Sequence, residues 1–170
     1  MLTLEGAPAM KIDAVTAVLT DPVTVEHIER TPLMRLAYTA LDGGPRVVPL
    51  AYIERGGQFV FCTIPRSAKV SALRRDPRVA ITIDSGDPLC CLLVRGTAEV
   101  EIVEGVPDDY LAATRRTMPL EAHAGFEQQV RGLYDRMARI VITPSFARLN
   151  DFVRTAPRDV ERVMAEKSAS

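Results

Sequence analysis

A cationic segment, residues 66–78, contains the side chains that could hold a phosphate group. It carries five Arg or Lys residues and one Asp, whereas the whole 170-residue chain has a net charge of −1. Arg66, Ser67 and Lys69 stand where a strand-like segment ends at Pro65 and a helical pattern begins, for which Ser67 is the predicted N-cap. The first N–H groups of a helix attract anions, and cationic and hydroxyl side chains bind phosphate oxygens. We therefore expect a phosphate site here; the alternative is a capped amphipathic helix whose charges are only solvated.

The segment 46–52 (RVVPLAY) is a second candidate, for contacts with a flat ring. Proline cannot donate to a strand ladder, so Pro49 indicates an edge strand or a local distortion. Backbone groups beside such a position can bond a planar heterocycle. An edge strand that carries its proline incidentally explains the pattern equally well.

The histidines and cysteines limit the other kinds of chemistry. Only two histidines occur, His27 and His123, and neither has a partner at the spacing of a metal site or a proton relay. The three cysteines, Cys62, Cys90 and Cys91, form no C-x-x-C pair and are odd in number. They therefore indicate neither a zinc site nor a disulfide framework. We predict no metal ligand and no catalytic side chain.

Composition excludes several classes of protein. Hydrophobic residues make up 47% of the chain and charged residues 25%, as in a folded globular domain. The net charge near zero, the 5% aromatic content and the absence of tryptophan argue against binding to nucleic acid. The longest apolar run, residues 89–94, is far shorter than the ~20 residues of a membrane helix, and no signal-peptide pattern is present. We expect one cytoplasmic domain, residues 1–170, that binds neither nucleic acid nor membrane.

The periodicity of apolar residues predicts mainly strands, flanked by helices. The expected elements are helices over 11–31, strands over 33–104 and 138–144, a helical insert over 107–137 and a C-terminal helix over 157–166. Glycine-rich turns separate 33–41, 46–54 and 58–63, which predicts an antiparallel meander, and Gly96 marks a bend in a long strand. The run 89–94 is typical of a core or dimer-interface strand. The predicted fold class is α+β: a mainly antiparallel sheet of six or more strands that curls into a small barrel.

Five short segments carry a family resemblance through their order and spacing. They are residues 46–52, 59–63 (FVFCT), 67–69 (SAK), 73–84 (LRRDPRVAITID) and 94–99 (VRGTAE). Together they resemble the flavin-binding split barrel of the pyridoxamine 5′-phosphate oxidase family, especially its smaller deazaflavin- and flavin-dependent branch. The last predicted strand, around 137–142, fits the same pattern. The resemblance covers about half of the chain and implies a split barrel.

The resemblance also implies a homodimer with two flavin sites at the subunit interface. The residues that it places along the isoalloxazine ring or the ribityl chain are Arg46, Val47, Val48 and Pro49. Cys62 and Thr63 are expected to line the same site from the neighbouring strand.

At the phosphate, the resemblance implies Ser67 and Lys69, in agreement with the helix start described above. The oxidases carry an arginine where this chain has Ala68, and Arg66 is the expected substitute. Cys91 is placed where the partner subunit reaches the cofactor, at a position where the oxidases have glutamine.

Other departures concern the substrate. The oxidases have a lysine where this chain has Ala51, and their closing Arg-Leu-x-Pro is replaced by Arg148-Leu149-Asn150-Asp151. The resemblance therefore implies an oxidoreductase that moves a hydride between FMN, or coenzyme F420, and a small organic substrate, rather than an oxidase of pyridoxamine phosphate. A flavin carrier or sensor without turnover, and a structural dimer that has lost its cofactor, remain as alternatives.

Overall fold

The computed structural model describes residues 10–86, 89–152 and 158–168 of the chain. Helices α1 (Ile12–Leu19) and α2 (Pro22–Arg30) precede strands β1 (Leu33–Thr39), β2 (Pro45–Ala51), β3 (Ile53–Arg55) and β4 (Gln58–Thr63). Next come helix α3 (Ala68–Arg75) and strands β5 (Arg78–Gly86) and β6 (Leu89–Glu104). The remaining elements are α4 (Asp108–Arg115), a 3₁₀ turn (Leu120–Ala122), α5 (His123–Leu133), β7 (Arg136–Asp151) and α6 (Arg158–Ser168).

The strands form one seven-stranded sheet in the order β2-β1-β5-β6-β7-β4-β3. All of its described ladders are antiparallel. Its two outermost strands, β2 and β3, are joined in the chain by a single residue, Tyr52. Because one residue spans only ~3.3–3.6 Å, the sheet must curl until its first and last strands meet at Tyr52. The prediction of an α+β, mainly antiparallel split barrel with flanking helices is confirmed.

Both predicted glycine turns form hairpins, β1–β2 and β3–β4, but the predicted three-stranded meander is wrong in its middle strand. The segment predicted as one strand, 46–54, is interrupted at Tyr52, and its two halves pair with different neighbours, β2 with β1 and β3 with β4. Tyr52 is fully buried, and its hydroxyl donates to the backbone carbonyls of Ile28 and Thr31. This anchored side chain holds the point at which the chain leaves one edge of the sheet and enters the other.

Strands β6 and β7 form a long antiparallel ladder that contains the bend predicted at Gly96. Each strand has 16 residues, and the register shifts between Arg95 and Gly96. A Cβ at Gly96 would collide with the carbonyl oxygen of Thr143, so glycine is required for this close backbone approach. Strand β7 is longer than the predicted 138–144 because Pro144 lies opposite this irregularity, where its missing N–H is tolerated.

The large side chains on the inner face of the strands fill the barrel. The largest fully buried side chains are Met34, Leu36, Tyr52, Phe59, Phe61, Leu73, Ile81, Ile83, Leu92, Met137, Ile140 and Ile142. Val15 and Leu19 of α1, together with Val70 and Leu73 of α3, pack against the barrel core. Each such burial contributes ~1.5–3 kcal/mol. This packing fixes the start of α3 relative to the sheet.

Helices α4 and α5 cover the outer face of β4 and β7. Leu111 of α4 packs with Met137 of β7. Asp109, buried in the first turn of α4, accepts a hydrogen bond from Arg139 of β7 at 2.7 Å and pairs with Arg55 of β3 at 3.0 Å. The predicted helical insert is thus divided between two helices, and its first helix is tied to the strands beside the split.

The C-terminal helix α6 exposes the side chains described from residue 160 onward. The prediction began this helix at Pro157, which lies outside the described residues. None of the helices in the described ranges has the length and apolar character needed to cross a membrane.

Candidate functional site

Helix α3 starts directly after β4 and presents the predicted phosphate-binding side chains. Ser67 occupies the N-cap position, as predicted, but its hydroxyl caps no helix N–H. Instead it accepts a hydrogen bond from the Nζ of Lys69 at 2.9 Å, because an ammonium group is a stronger donor than a backbone amide. The capping role expected for the Ser67 side chain is therefore wrong. The first turn of α3 carries no side-chain cap within the described residues.

Lys69 combines burial with the lack of a counter-charge. Its side chain is half-buried, and desolvation lowers the pKa of its ammonium group. Among the described residues, its only hydrogen-bond partner is Ser67, and no carboxylate forms an ion pair with it. Arg66, on the same turn, is exposed. A bound anion would restore the electrostatic stabilisation that the buried ammonium loses.

The split itself opens from Tyr52 between two strand edges. Strand β4 pairs with β3 only through residues 58–60, while Phe61, Cys62 and Thr63 pair with β7 and continue past the start of β3. On the other side, β2 pairs with β1 alone. We call the last residues of β2, 49–51, and residues 61–63 of β4 the two lips of the split. Each lip has an edge without a strand partner in the described structure, so it can hydrogen-bond a planar ring.

The four predicted ring-binding residues of β2 differ in their environments. Val47 is 63% exposed and Pro49 is exposed, both on the outer face of the barrel. Val48 packs against the core instead. Arg46 is engaged locally, because its Nη2 donates to Asp42 at 2.7 Å across the β1–β2 turn. The exposed faces of Val47 and Pro49 are therefore the part of β2 that is available for a cofactor or a second chain.

Cys62 and Thr63 lie on the opposite lip, directly before the phosphate-binding segment. The Cys62 thiol packs beneath α4 and α5 with Tyr110 and Phe126. Burial, and secondarily the nearby carboxylate of Asp109, raises the pKa of Cys62 to about 12. The thiol is therefore neutral near pH 7 and acts as a packing group, and a ring in the split would meet the backbone of Cys62 rather than a thiolate.

Cys91 is not brought to the split within one chain. It lies half-buried on the outer face of β6, opposite Asp84 on β5 and Asn150 on β7. Three ladders separate β6 from β2 and two separate it from β4, which corresponds to ~14 Å and ~10 Å across the sheet. Burial raises the pKa of its thiol above the ordinary value. The contact of Cys91 with the cofactor therefore stays a prediction, and it requires a second copy of the chain.

The other candidate groups have structural partners. His27 is buried, and its Nε2 lies 2.8 Å from the carbonyl oxygen of Ile83. The described residues contain no cluster of three or more His, Cys, Asp or Glu side chains that could hold a metal ion. Two surface cavities, of about 280 and 380 Å³, lie beside Arg116 and between α1, α2 and the end of β7. Neither cavity includes the predicted cofactor residues.

Arg116, which the sequence analysis did not single out, is bound to the closed end of the split. Its guanidinium donates to the carbonyl of Tyr52 at 2.8 Å and to the carbonyls of Ile28, Glu29 and Thr31 at the end of α2. It also lies over the Tyr52 ring, 5.0 Å from the ring centroid. Tyr52 lies in the candidate segment 46–52, but no local pattern marks Arg116, since its contacts are with backbone atoms far away in the chain.

Comparisons with known proteins are consistent with this geometry. The model of the family described as pyridoxamine 5′-phosphate oxidase matches residues 20–145. Among solved structures, the conserved hypothetical protein Rv2991 from Mycobacterium tuberculosis is similar, with 21% identity and a TM-score of 0.57 over 86% of this chain and 88% of that one. An F420 reductase is similar with 25% identity and a TM-score of 0.56, over 72% and 94% of the two chains.

General stress protein 26 from Bacillus anthracis shares the fold at 13% identity, with a TM-score of 0.52 over 82% of this chain and 92% of that one. A search of curated proteins finds no match.

Proposed function

Because the chain belongs to the pyridoxamine 5′-phosphate oxidase family, we propose that it is an oxidoreductase that binds FMN or coenzyme F420 in the split between β2 and β4. The observation that carries this proposal is the half-buried Lys69 ammonium, which has no described counter-charge at the start of α3. The bound cofactor supplies the hydride chemistry. The protein binds and orients the ring and shields it from water.

At the phosphate end, Ser67 and Lys69 hold the cofactor, with Arg66 above them at the surface. The Ser67–Lys69 hydrogen bond keeps both polar groups directed to one point. The uncapped first turn of α3 adds backbone N–H groups, and together they form the donor set that a phosphate monoester needs. Ala68 removes one cation relative to the oxidases, so a looser phosphate site is part of the proposal.

At the ring end, the lips of the split supply backbone donors and acceptors. Val47 and Pro49 on β2 offer an apolar surface to one face of the ring, while Cys62 and Thr63 approach from β4. No described ionisable side chain among these four has a pKa suited to proton transfer near pH 7, since the Cys62 pKa is about 12. The hydride step itself requires no acid or base from the protein.

A homodimer completes the proposed site. The exposed outer face that carries Val47 and Pro49 would be covered by a second chain, whose Cys91 would then reach the cofactor. The substrate is proposed to be a small organic molecule that enters beside the ring. The 25% identity to an F420 reductase supports the deazaflavin, and the donor set at the start of α3 supports FMN.

A carrier or sensor without turnover is the second candidate function. It rests on the same ring and phosphate contacts, because holding a flavin needs nothing more.

Titration of the purified protein with FMN and with F420 tests the proposal. Binding should appear as a shift in cofactor absorbance and a change in fluorescence at micromolar concentrations. Failure of both cofactors to bind in this range would refute the enzyme and the carrier together. If one cofactor binds, stopped-flow reduction and reoxidation with candidate substrates distinguishes the enzyme from the carrier. The cofactor bound to an enzyme is reoxidised faster when the substrate is present, and the cofactor bound to a carrier is not.

A further inference from the structure

The closed end of the split is held by one side chain from outside the sheet. Arg116, which directly follows α4, donates hydrogen bonds to four backbone carbonyls. Three of them belong to the last turn and the C-cap of helix α2, where the helix dipole favours a cation. The fourth belongs to Tyr52, the residue that joins the two edge strands. A single guanidinium therefore connects α2, α4 and the point from which the split opens.

The contacts of Tyr52 reinforce this connection. Its hydroxyl donates to the carbonyls of Ile28 and Thr31, at 3.4 and 3.0 Å, and these same carbonyls accept from Arg116. The guanidinium also lies over the Tyr52 ring, which adds a cation–π attraction. Backbone and side chain of Tyr52 are thus both restrained by groups that belong to neither lip.

The distance between the two lips depends on Tyr52 and Arg116, because few other contacts join the two strands. No ladder connects β2 to β4 in the described structure, and β3 is only three residues long. Helix α4 packs on the β3–β4 side, where Ala113 contacts Ile53 and Val60. Any movement of Arg116 would therefore be passed to both edges, to β2 through Tyr52 and to β4 through α4.

We propose that Arg116 is a positioning residue that sets the distance between the two lips, and with it the affinity of the split for a flat ring. Only the second part of this inference, the affinity for a flat ring, rests on the proposed function. The lip geometry is a property of the protein without cofactor, and it can be measured without one.

The central experiment compares Arg116→Met, which keeps the aliphatic stem but removes the donors, with Arg115→Met. Arg115 is adjacent in sequence and pairs with Glu127 rather than with Tyr52, so its variant is the matched control. Hydrogen exchange followed by mass spectrometry should show amides of 47–52 and 61–63 exchanging about tenfold faster in Arg116→Met, which corresponds to ~1.4 kcal/mol of local opening. Amides of β5 and β6 should be unchanged.

A role in overall stability alone would accelerate exchange in all strands together, and that result, or no change at the lips, overturns the proposal. If Arg116→Met does not fold, Arg116→Lys provides a milder loss of the guanidinium contacts, and Tyr52→Phe removes only the hydroxyl bonds by which Tyr52 reaches the carbonyls of Ile28 and Thr31. Each should accelerate exchange at the lips by a smaller factor, again without effect on β5 and β6.

The second readout is the affinity for riboflavin and for FMN, which share the ring but differ in the phosphate. Arg116→Met should weaken both by the same factor and leave their ratio unchanged, because it acts on the ring-binding lips. A changed ratio would contradict the proposal. If the wild-type protein binds neither flavin, F420 replaces FMN; if none binds, the proposed function fails while the exchange experiment still decides the role of Arg116.

Discussion

Lys69 is the residue in which burial and charge conflict most directly. Desolvation disfavours its ammonium form and lowers its pKa, and its described hydrogen-bond partner, Ser67, is neutral. A phosphate bound at this point would favour the charged form and move the pKa upward again. Desolvation of Lys69 thus opposes the folding of the free protein, and the same side chain contributes affinity for phosphate in the proposed complex.

Replacement of Lys69 by alanine should weaken FMN binding by ~1.5–3 kcal/mol, the range for a hydrogen bond to a charged group. Riboflavin, which lacks the phosphate, should bind to Lys69→Ala as it does to the wild type. Fluorescence titration measures both affinities, and Arg74→Ala, at the exposed end of α3, is the control. Equal losses for the two flavins would contradict a phosphate contact.

The affinity for FMN should also depend on pH through Lys69. Above pH 7 the phosphate is already a dianion, so the remaining change comes from the lysine. Binding takes up a proton once the pH exceeds the lowered pKa of Lys69 in the free protein, and affinity therefore falls as the pH rises through that value. Titrations across the alkaline range should show this decline in the wild type and not in Lys69→Ala.

Among the elements, the β6–β7 pair determines the curvature of the barrel. Its register shift at Gly96 brings the backbone of β6 against Thr143 of β7. Within the single sheet, residues 90–97 of β6 pair with both β5 and β7, whereas residues 98–104 beyond the bend pair with β7 alone. The geometry of the split thus depends on a position at which no side chain fits.

Gly96→Ala should lower the free energy of unfolding by ~1–3 kcal/mol, because overpacking forces the backbone apart. Gly125→Ala provides the control, since a Cβ at that exposed helical position meets no atom within 4 Å. It should leave stability unchanged or raise it by up to ~1 kcal/mol. Urea unfolding followed by circular dichroism measures both, and equal effects of the two substitutions would argue against the close approach at the bulge.

For the whole molecule, the proposed dimer rests on the outer face of the sheet. Along β1, β5 and β6, buried side chains alternate with exposed or half-buried ones, and β2 carries exposed and half-buried residues only. Val47 is the most exposed large hydrophobic residue of these four strands, at 63%. A second chain packed there would cover Val47 and bring its own Cys91 toward the split, as the proposed dimer requires.

A charge at Val47 should therefore separate the proposed dimer. We expect Val47→Asp to be monomeric by sedimentation velocity and to bind the cofactor more weakly, because the proposed dimer completes each site with the partner's Cys91. Leu120→Asp is the control: Leu120 is 79% exposed on the 3₁₀ turn, away from the sheet. A monomeric wild type, or a Val47→Asp variant that still dimerises, would exclude this face as the interface.

The sequence alone determined the features that depend on neighbours along the chain. The alternation of apolar residues predicted the strands, the glycine turns predicted two hairpins, Gly96 predicted the bend, and the order of motifs predicted the family and its split barrel. The start of α3 at Ser67 also followed from local pattern, because a proline and a cap residue act within a few positions. These features could be predicted since short-range sterics and hydrogen bonding decide them.

Only the tertiary structure decided how the candidate site is assembled. The break at Tyr52, the packing of Cys62 under α4 and the use of the Ser67 hydroxyl by Lys69 each depend on which groups become buried together. Arg116 reaches carbonyls that are 64 to 88 residues away in the chain, and a guanidinium can do so from any sequence context. Long-range burial selects such partners, so periodicity and spacing contain no record of them.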